Sequence, residues 1–236
     1  FAFVFLFNGS FIEALVAFFI GGLLRIFLTK IAQFNLGTFF VSLCSGFIIS
    51  VLTELFFLFN IIPATETVLI SVLMQVVPGI AIVNAIRDII AGDLVAGTAR
   101  LVEAFMIAAG LSIGSVFGLL IFTNFRPNTT EIINSSTNSG ILYFILVFIY
   151  AFFASGSSAF YLKANIIDIF LGASIGGFGW LVYCLVGTTG VGAYFLGAFT
   201  VAILSELLAA KIKNPATVFL IPGLLPLVPG GGMFKT

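Results

Sequence analysis

Apolar stretches close to twenty residues long follow one another along the whole chain, and no other feature of the sequence restricts its fold so tightly. A helix of that length spans the hydrocarbon core of a bilayer. Of the 236 residues, 61% are hydrophobic and only 8% charged, against about a quarter charged in a soluble domain. The expected fold class is therefore an all-α, polytopic integral membrane protein. Spans are expected at about Phe11 to Leu28, Leu36 to Phe59, Thr67 to Asp88, Leu94 to Phe122, Ile141 to Phe160, Ile166 to Val186, Val191 to Ala210 and from Thr217 onward. A partial span, Phe1 to Phe7, precedes them. Thr123 to Ser139 is the one extended polar stretch and reads as a loop between two halves. The expected domains are residues 1–123 and 140–236, with 124–139 as an extramembrane linker. The chain opens on Phe1 inside an apolar run and closes just after a helix break, so it reads as a piece of a longer protein at both ends.

Composition also excludes classes of function. The absence of histidine removes histidine triads, histidine metal sites and histidine proton relays. Nine basic residues against nine acidic ones give no sign of nucleic-acid binding. No nucleophile–base pair is visible, so no enzyme is expected, and no metal or cofactor. Cys44 and Cys184, in separate apolar stretches, read as buried thiols packed as small hydrophobes.

Orientation follows from the basic residues. Alternate loops carry Arg25 and Lys30, then Arg87 and Arg100, then Lys163, then Lys211 and Lys213, while the loops between hold only Arg126. The positive-inside rule puts the basic loops in the cytosol. The sequons at Asn8, Asn128 and Asn134 then face outside, although short polar loops also produce such triplets by chance.

Two proline-glycine breaks interrupt this pattern: Val77-Pro78-Gly79, and Pro226-Leu227-Val228-Pro229-Gly230 near the C-terminus. A break frees backbone groups that lipid cannot satisfy, so it survives only against protein or a wet cavity. Pro78 lies about 20 Å into a span that starts outside, and Pro229 is similarly deep in one that starts inside. Paired breaks approached from opposite faces are what an inverted repeat produces, and they point to a substrate site. Gln75, one turn before the first break, either satisfies freed carbonyls or touches substrate.

Five of the charges fall between Arg87 and Glu103. Arg87 and Asp88 end one helix, Gly92 turns, and Asp93 reads as the cap of the next. Glu103 is about 15 Å into that helix, where a carboxylate is costly unless paired or wet. Arg100, three residues earlier, is the expected partner. The pair reads equally as structural or as a substrate or proton site. Glu13, Glu54 and Asp168, near span ends, read as interfacial. Gly172, Gly176, Gly177 and Gly179 read as tight helix packing.

The run Val77-Pro-Gly-Ile-Ala-Ile-Val-Asn-Ala-Ile-Arg-Asp-Ile-Ile-Ala-Gly-Asp-Leu-Val-Ala-Gly97, continuing to Ala104, resembles the signature of the threonine/serine exporter (ThrE) family. Pro215-Ala-Thr-Val-Phe-Leu-Ile-Pro-Gly-Leu-Leu-Pro-Leu-Val-Pro-Gly-Gly231 resembles that of the family's second domain. Fungal pheromone-regulated membrane proteins belong to the same broad family. The resemblance implies ten transmembrane helices in two five-helix domains, both incomplete here, and proton-driven export of small hydroxy amino acids across the plasma membrane. Bacterial relatives split the domains into two subunits linked to dicarboxylate export. By motif match, Pro78, Gly79, Asn84, Arg87, Asp88, Gly92, Asp93, Gly97, Pro226, Pro229 and Gly230 carry over. Together with Gln75, Arg100 and Glu103 they form the candidate substrate-binding or coupling set. The implied partners are a small substrate (an amino acid or small carboxylate), protons and the lipid bilayer; a homo-oligomer stays open. The rival readings are a channel or facilitator, a dicarboxylate exporter, and a structural membrane protein without flux.

Overall fold

The computed structural model describes residues 1–7, 9–34, 36–123, 141–186 and 191–227. The 124–139 linker, the three sequon asparagines, Pro229 and Gly230 lie outside the described residues. No strand occurs among those described, so the fold is all-α. In chain order the helices are α1 (Ala2–Leu6), α2 (Phe11–Ile31), α3 (Thr38–Leu58), α4 (Glu66–Leu73), α5 (Gly79–Ile90), α6 (Leu94–Phe122), α7 (Ile141–Tyr161), α8 (Ile166–Val186), α9 (Val191–Ile212) and α10 (Thr217–Leu224). Six of them, α2, α3, α6, α7, α8 and α9, are long and apolar enough to cross a membrane.

The expected span limits hold closely. α6 and α8 begin and end where the apolar pattern does, while α2 and α9 run on through Lys30 and Lys211. A cation in the last turn favours that extension through the helix dipole. At its other end α2 is fixed by a capping box. Glu13 N–H donates to Ser10 Oγ (3.3 Å), and Ser10 N–H donates to Glu13 Oε2 (2.6 Å). Glu13, in the first turn of α2, is buried there.

Helices α2 to α6 form one compact unit, and α1 with α7 to α10 another. In the first, α3 and α6 lie backbone to backbone. A Cβ on Gly110 would stand 2.7 Å from Phe39 O, one on Gly114 3.0 Å from Phe47 N, and one on Gly118 2.6 Å from Ser50 Cβ. The numbers rise together, so the two helices are parallel. The chain between them must therefore recross the unit once. Helices α4 and α5 do this as two halves of one broken span, with a combined rise of about 30 Å. Helix α4 is enclosed on every side, with Val68 to Leu73 all buried.

In the second unit α10 packs against α7, α8 and α9. It buries Phe219, Pro222 and Gly223, and Pro226 and Leu227 follow, buried, in a 3-10 turn. Close backbone approach again needs glycine: a Cβ on Gly197 would lie 3.0 Å from both Gly179 O and Leu227 Cδ2. Helix α1 packs on α7, where Phe5 stacks on Tyr150.

Candidate functional site

The first break is where the sequence puts it. The last turn of α4 tightens, with Val76 N–H donating to Leu73 O (2.9 Å), and the chain then folds over Pro78, which is buried. Gly79 N–H turns back to Val77 O (2.9 Å), and α5 begins at Gly79 with no side chain capping it. A helix start of this kind leaves its first-turn amides, here those of Ile80 and Ala81, without intrahelical acceptors. Gln75 is exposed beside the break. Its amide group lies against Gly21 of α2, where a Cβ would come 3.4 Å from Gln75 Cδ. The break thus offers a carbonyl-rich helix end, an uncapped amide-rich helix start and one neutral polar side chain.

The charged residues gather one helix length away, at the α5–α6 hairpin. Gly92 adopts φ +93°, a left-handed conformation that other residues reach only with strain. Gly92 N–H donates to Ile89 O (3.1 Å) and Asp93 N–H to Asp88 O (3.0 Å), the paired bonds of a Schellman stop. Asp93 then caps α6 by accepting from Ala96 N–H (3.2 Å). Gly97 lets the helices close up: a Cβ there would stand 2.9 Å from Ala85 O. Asn84 is half-buried on α5 and Arg87 exposed.

Arg100 pairs with Asp88 across the hairpin, and not with Glu103. The reason is directional. Side chains on a helix lean toward its N-terminus, which carries Arg100 back toward the end of α5 and away from Glu103. Glu103 is exposed and has no hydrogen bond or ion pair among the described residues. Gly79 and Asp88 are about 14 Å apart along α5. The candidate residues of this unit therefore form two groups, a break group (Gln75, Pro78, Gly79) and a hairpin group (Asp88, Asp93, Arg100).

At the second break, Pro226 has no N–H to give the carbonyl four residues earlier, that of Pro222. Ser155 of α7 supplies the missing donor, its Oγ 3.0 Å from Pro222 O in a buried bond. Gly176 of α8 makes room: a Cβ there would collide with the Ser155 side chain, 2.6 Å from its Cβ. Gly176, Gly177 and Gly179 are tight packing as expected, Gly176 serving this bond, while a Cβ on Gly172 would meet its nearest neighbour, Phe219 Cα, only at 3.9 Å. Asp168, in the first turn of α8, is buried. It accepts from Asn165 Nδ2 (3.3 Å) and Asn214 Nδ2 (3.0 Å), which ties the start of α8 to the connection leading into α10.

Sequence reasoning missed the α3–α6 seam, whose signal was glycine at every fourth position, Gly110, Gly114 and Gly118. It placed Glu54 near a span end without foreseeing that its side chain is 0% exposed. Cys44 and Cys184 are free thiols, half-buried instead of buried. No group of three metal-ligating side chains occurs among the described residues.

Residues 1–122 match the family model of the threonine/serine exporter ThrE, and residues 147–236 match a second model described as Threonine/Serine exporter, ThrE. No curated protein and no solved structure matches the chain.

Proposed function

The chain belongs to the threonine/serine exporter family, a family of amino-acid exporters, and we propose that it exports threonine or serine across the plasma membrane in exchange for protons. The observation that carries this reading is the uncapped start of α5 at the buried Pro78 break. The first-turn amides and the positive end of the helix dipole suit the substrate carboxylate. The carbonyl end of α4 suits its ammonium group, and Gln75, exposed beside the break, can meet its hydroxyl. Backbone groups of this kind recognise the common part of an amino acid, as half-helix ends do in other secondary transporters. Asp88 and Arg100, with Glu103 beyond them, are the charged groups at the inner end of the same broken span, where they can control access. Of the remaining candidates, Arg87 and Asp93 lie at that end and Asn84 midway along α5, and Pro226, Pro229 and Gly230 belong to the sequence motif of the second break.

The test is the whole protein in proteoliposomes loaded with labelled threonine or serine, with and without an imposed pH gradient. Gradient-driven flux is expected. Joining the halves with Pro78→Ala and Gly79→Ala together should lower it at least about tenfold, because the freed amides vanish into a continuous helix. Flux in the joined variant equal to that of the unchanged protein would sink the role of the break. Flux indifferent to the gradient would favour a facilitator.

A further inference from the structure

We propose that Glu54 of α3 is the carboxyl group that takes up and releases the coupling proton; the proposal rests on the exporter reading above. Three observations converge on it. Glu54 is completely withdrawn from the surface, at 0% exposure, inside a helix of membrane-spanning length. It continues a line of buried small or polar residues spaced four apart along α3, Ser42, Gly46 and Ser50. That line faces α6, as the approach of Gly46 to Leu111 and Ser115 and of Ser50 to Gly118 shows. Thirdly, one hydroxyl of the line and one facing it from α6 are not in use. Ser42, Ser45 and Thr53 each donate to the carbonyl four residues earlier, at 2.8, 2.7 and 2.8 Å. Ser50 Oγ, one turn from Glu54, and Ser115 Oγ of α6, which faces Gly46, are buried with no hydrogen-bond partner among the described residues. A buried hydroxyl without a partner is uncommon, and Ser50, which can both donate and accept, is the one placed to relay a proton to the carboxyl one turn on.

The ionisable groups on the helices packed against α3 are Glu13, Arg25 and Lys30 of α2, Glu66 of α4, and Arg100 and Glu103 of α6. Phe19 of α2 meets Phe56, two residues beyond Glu54, and Arg25 and Lys30 lie further toward the C-terminal end of α2. Arg100 and Glu103 are at the far end of α6 from Gly118. Glu13 and Glu66 share the end of the unit where Glu54 sits. Glu13 is held in its capping box and Glu66 is exposed. With the basic loops in the cytosol, Glu54 is one turn from the outer end of α3, the side from which an exporter driven by the proton gradient must collect its proton. An intramembrane carboxyl enclosed in the bundle marks such a relay more often than a structural accident.

The experiment reconstitutes the whole protein and measures two fluxes of labelled threonine or serine: uphill movement driven by a pH gradient, and exchange of substrate for substrate without one. Glu54→Gln keeps the shape and removes the titration. It should lower gradient-driven movement at least about tenfold while exchange continues, a split that loss of folding alone does not produce. Glu66→Gln, a nearby exposed carboxylate, should match the unchanged protein in both. Gradient-driven movement that survives Glu54→Gln overturns the proposal and leaves the exporter reading standing. Absence of any threonine or serine flux in the unchanged protein defeats the exporter reading itself. Should Glu54→Gln fail to fold, the unchanged protein still decides. Dicyclohexylcarbodiimide, which attacks protonated carboxyls in apolar surroundings, should modify Glu54 during turnover, less as the pH rises and with loss of flux. Glu54 left unmodified in protein that is transporting refutes the proposal.

Discussion

Replacing Ser155 with alanine isolates the chemistry of the second break. The substitution removes one buried bond of 3.0 Å to Pro222 O, and no backbone donor replaces it, because the residue four positions on is Pro226. Hydrogen bonds between membrane helices average only about 0.6 kcal/mol, since the unfolded chain in the membrane finds other partners. A buried carbonyl left with no donor costs more, about 1–3 kcal/mol. We expect a loss of about 1–2 kcal/mol, a factor of roughly 5–30 in the unfolding equilibrium. Unfolding in mixed micelles with rising denaturing detergent measures it, read by the fluorescence of Trp180, the single tryptophan, which is buried on α8 in the same unit. The decisive arm is a double-mutant cycle with Pro226→Ala. Alanine at 226 restores an N–H at the position from which an α-helix would serve Pro222 O, so Ser155→Ala should cost about 0.5 kcal/mol or less in that background. Equal costs in the two backgrounds would refute the assignment of Ser155 as the substitute donor.

Four further outcomes follow from the packing and the hydrogen bonds. Gly114→Ala should destabilise the first unit by about 1–3 kcal/mol, because a Cβ there runs into the Leu43 carbonyl. Gly22→Ala on α2, where a Cβ meets nothing within 4 Å, should be neutral or stabilising; detergent unfolding of the two variants compares them directly. Arg100→Gln removes an ion pair whose side chains are 54% and 27% exposed, so it should cost no more than about 1 kcal/mol, and a large fall in transport at unchanged stability would report function. Asp168→Ala should speed hydrogen exchange at residues 214–217 at least about fivefold, since the hydrogen bond from Asn214 holds that connection; unchanged exchange would mean that backbone packing alone fixes it.

The sequence made the axial coordinate of this protein readable and hid the angular one. Span limits, the stop at Gly92, the cap at Asp93 and the break at Pro78 all depend on backbone chemistry that particular residues impose, and the structure has each where that chemistry requires. The facing of each helix is a different problem. In a soluble protein, polar and apolar faces reveal it, but a membrane helix is apolar all round and lipid is as apolar as the core. Depth along α3 therefore set Glu54 near a span end, and nothing in its hydrophobicity showed that it turns inward. Arg100 was given the nearest opposite charge on its own helix when its partner stood across a turn. The angular signal that does exist is close approach. Glycines four apart on α6 can only be a surface where another backbone lies, and Ser42, Gly46 and Ser50 four apart on α3 are the matching surface. Extending that second series by one step reaches Glu54. Glu54, in register with that packing line, is buried as its neighbours on the line are, although hydropathy gave no sign of it.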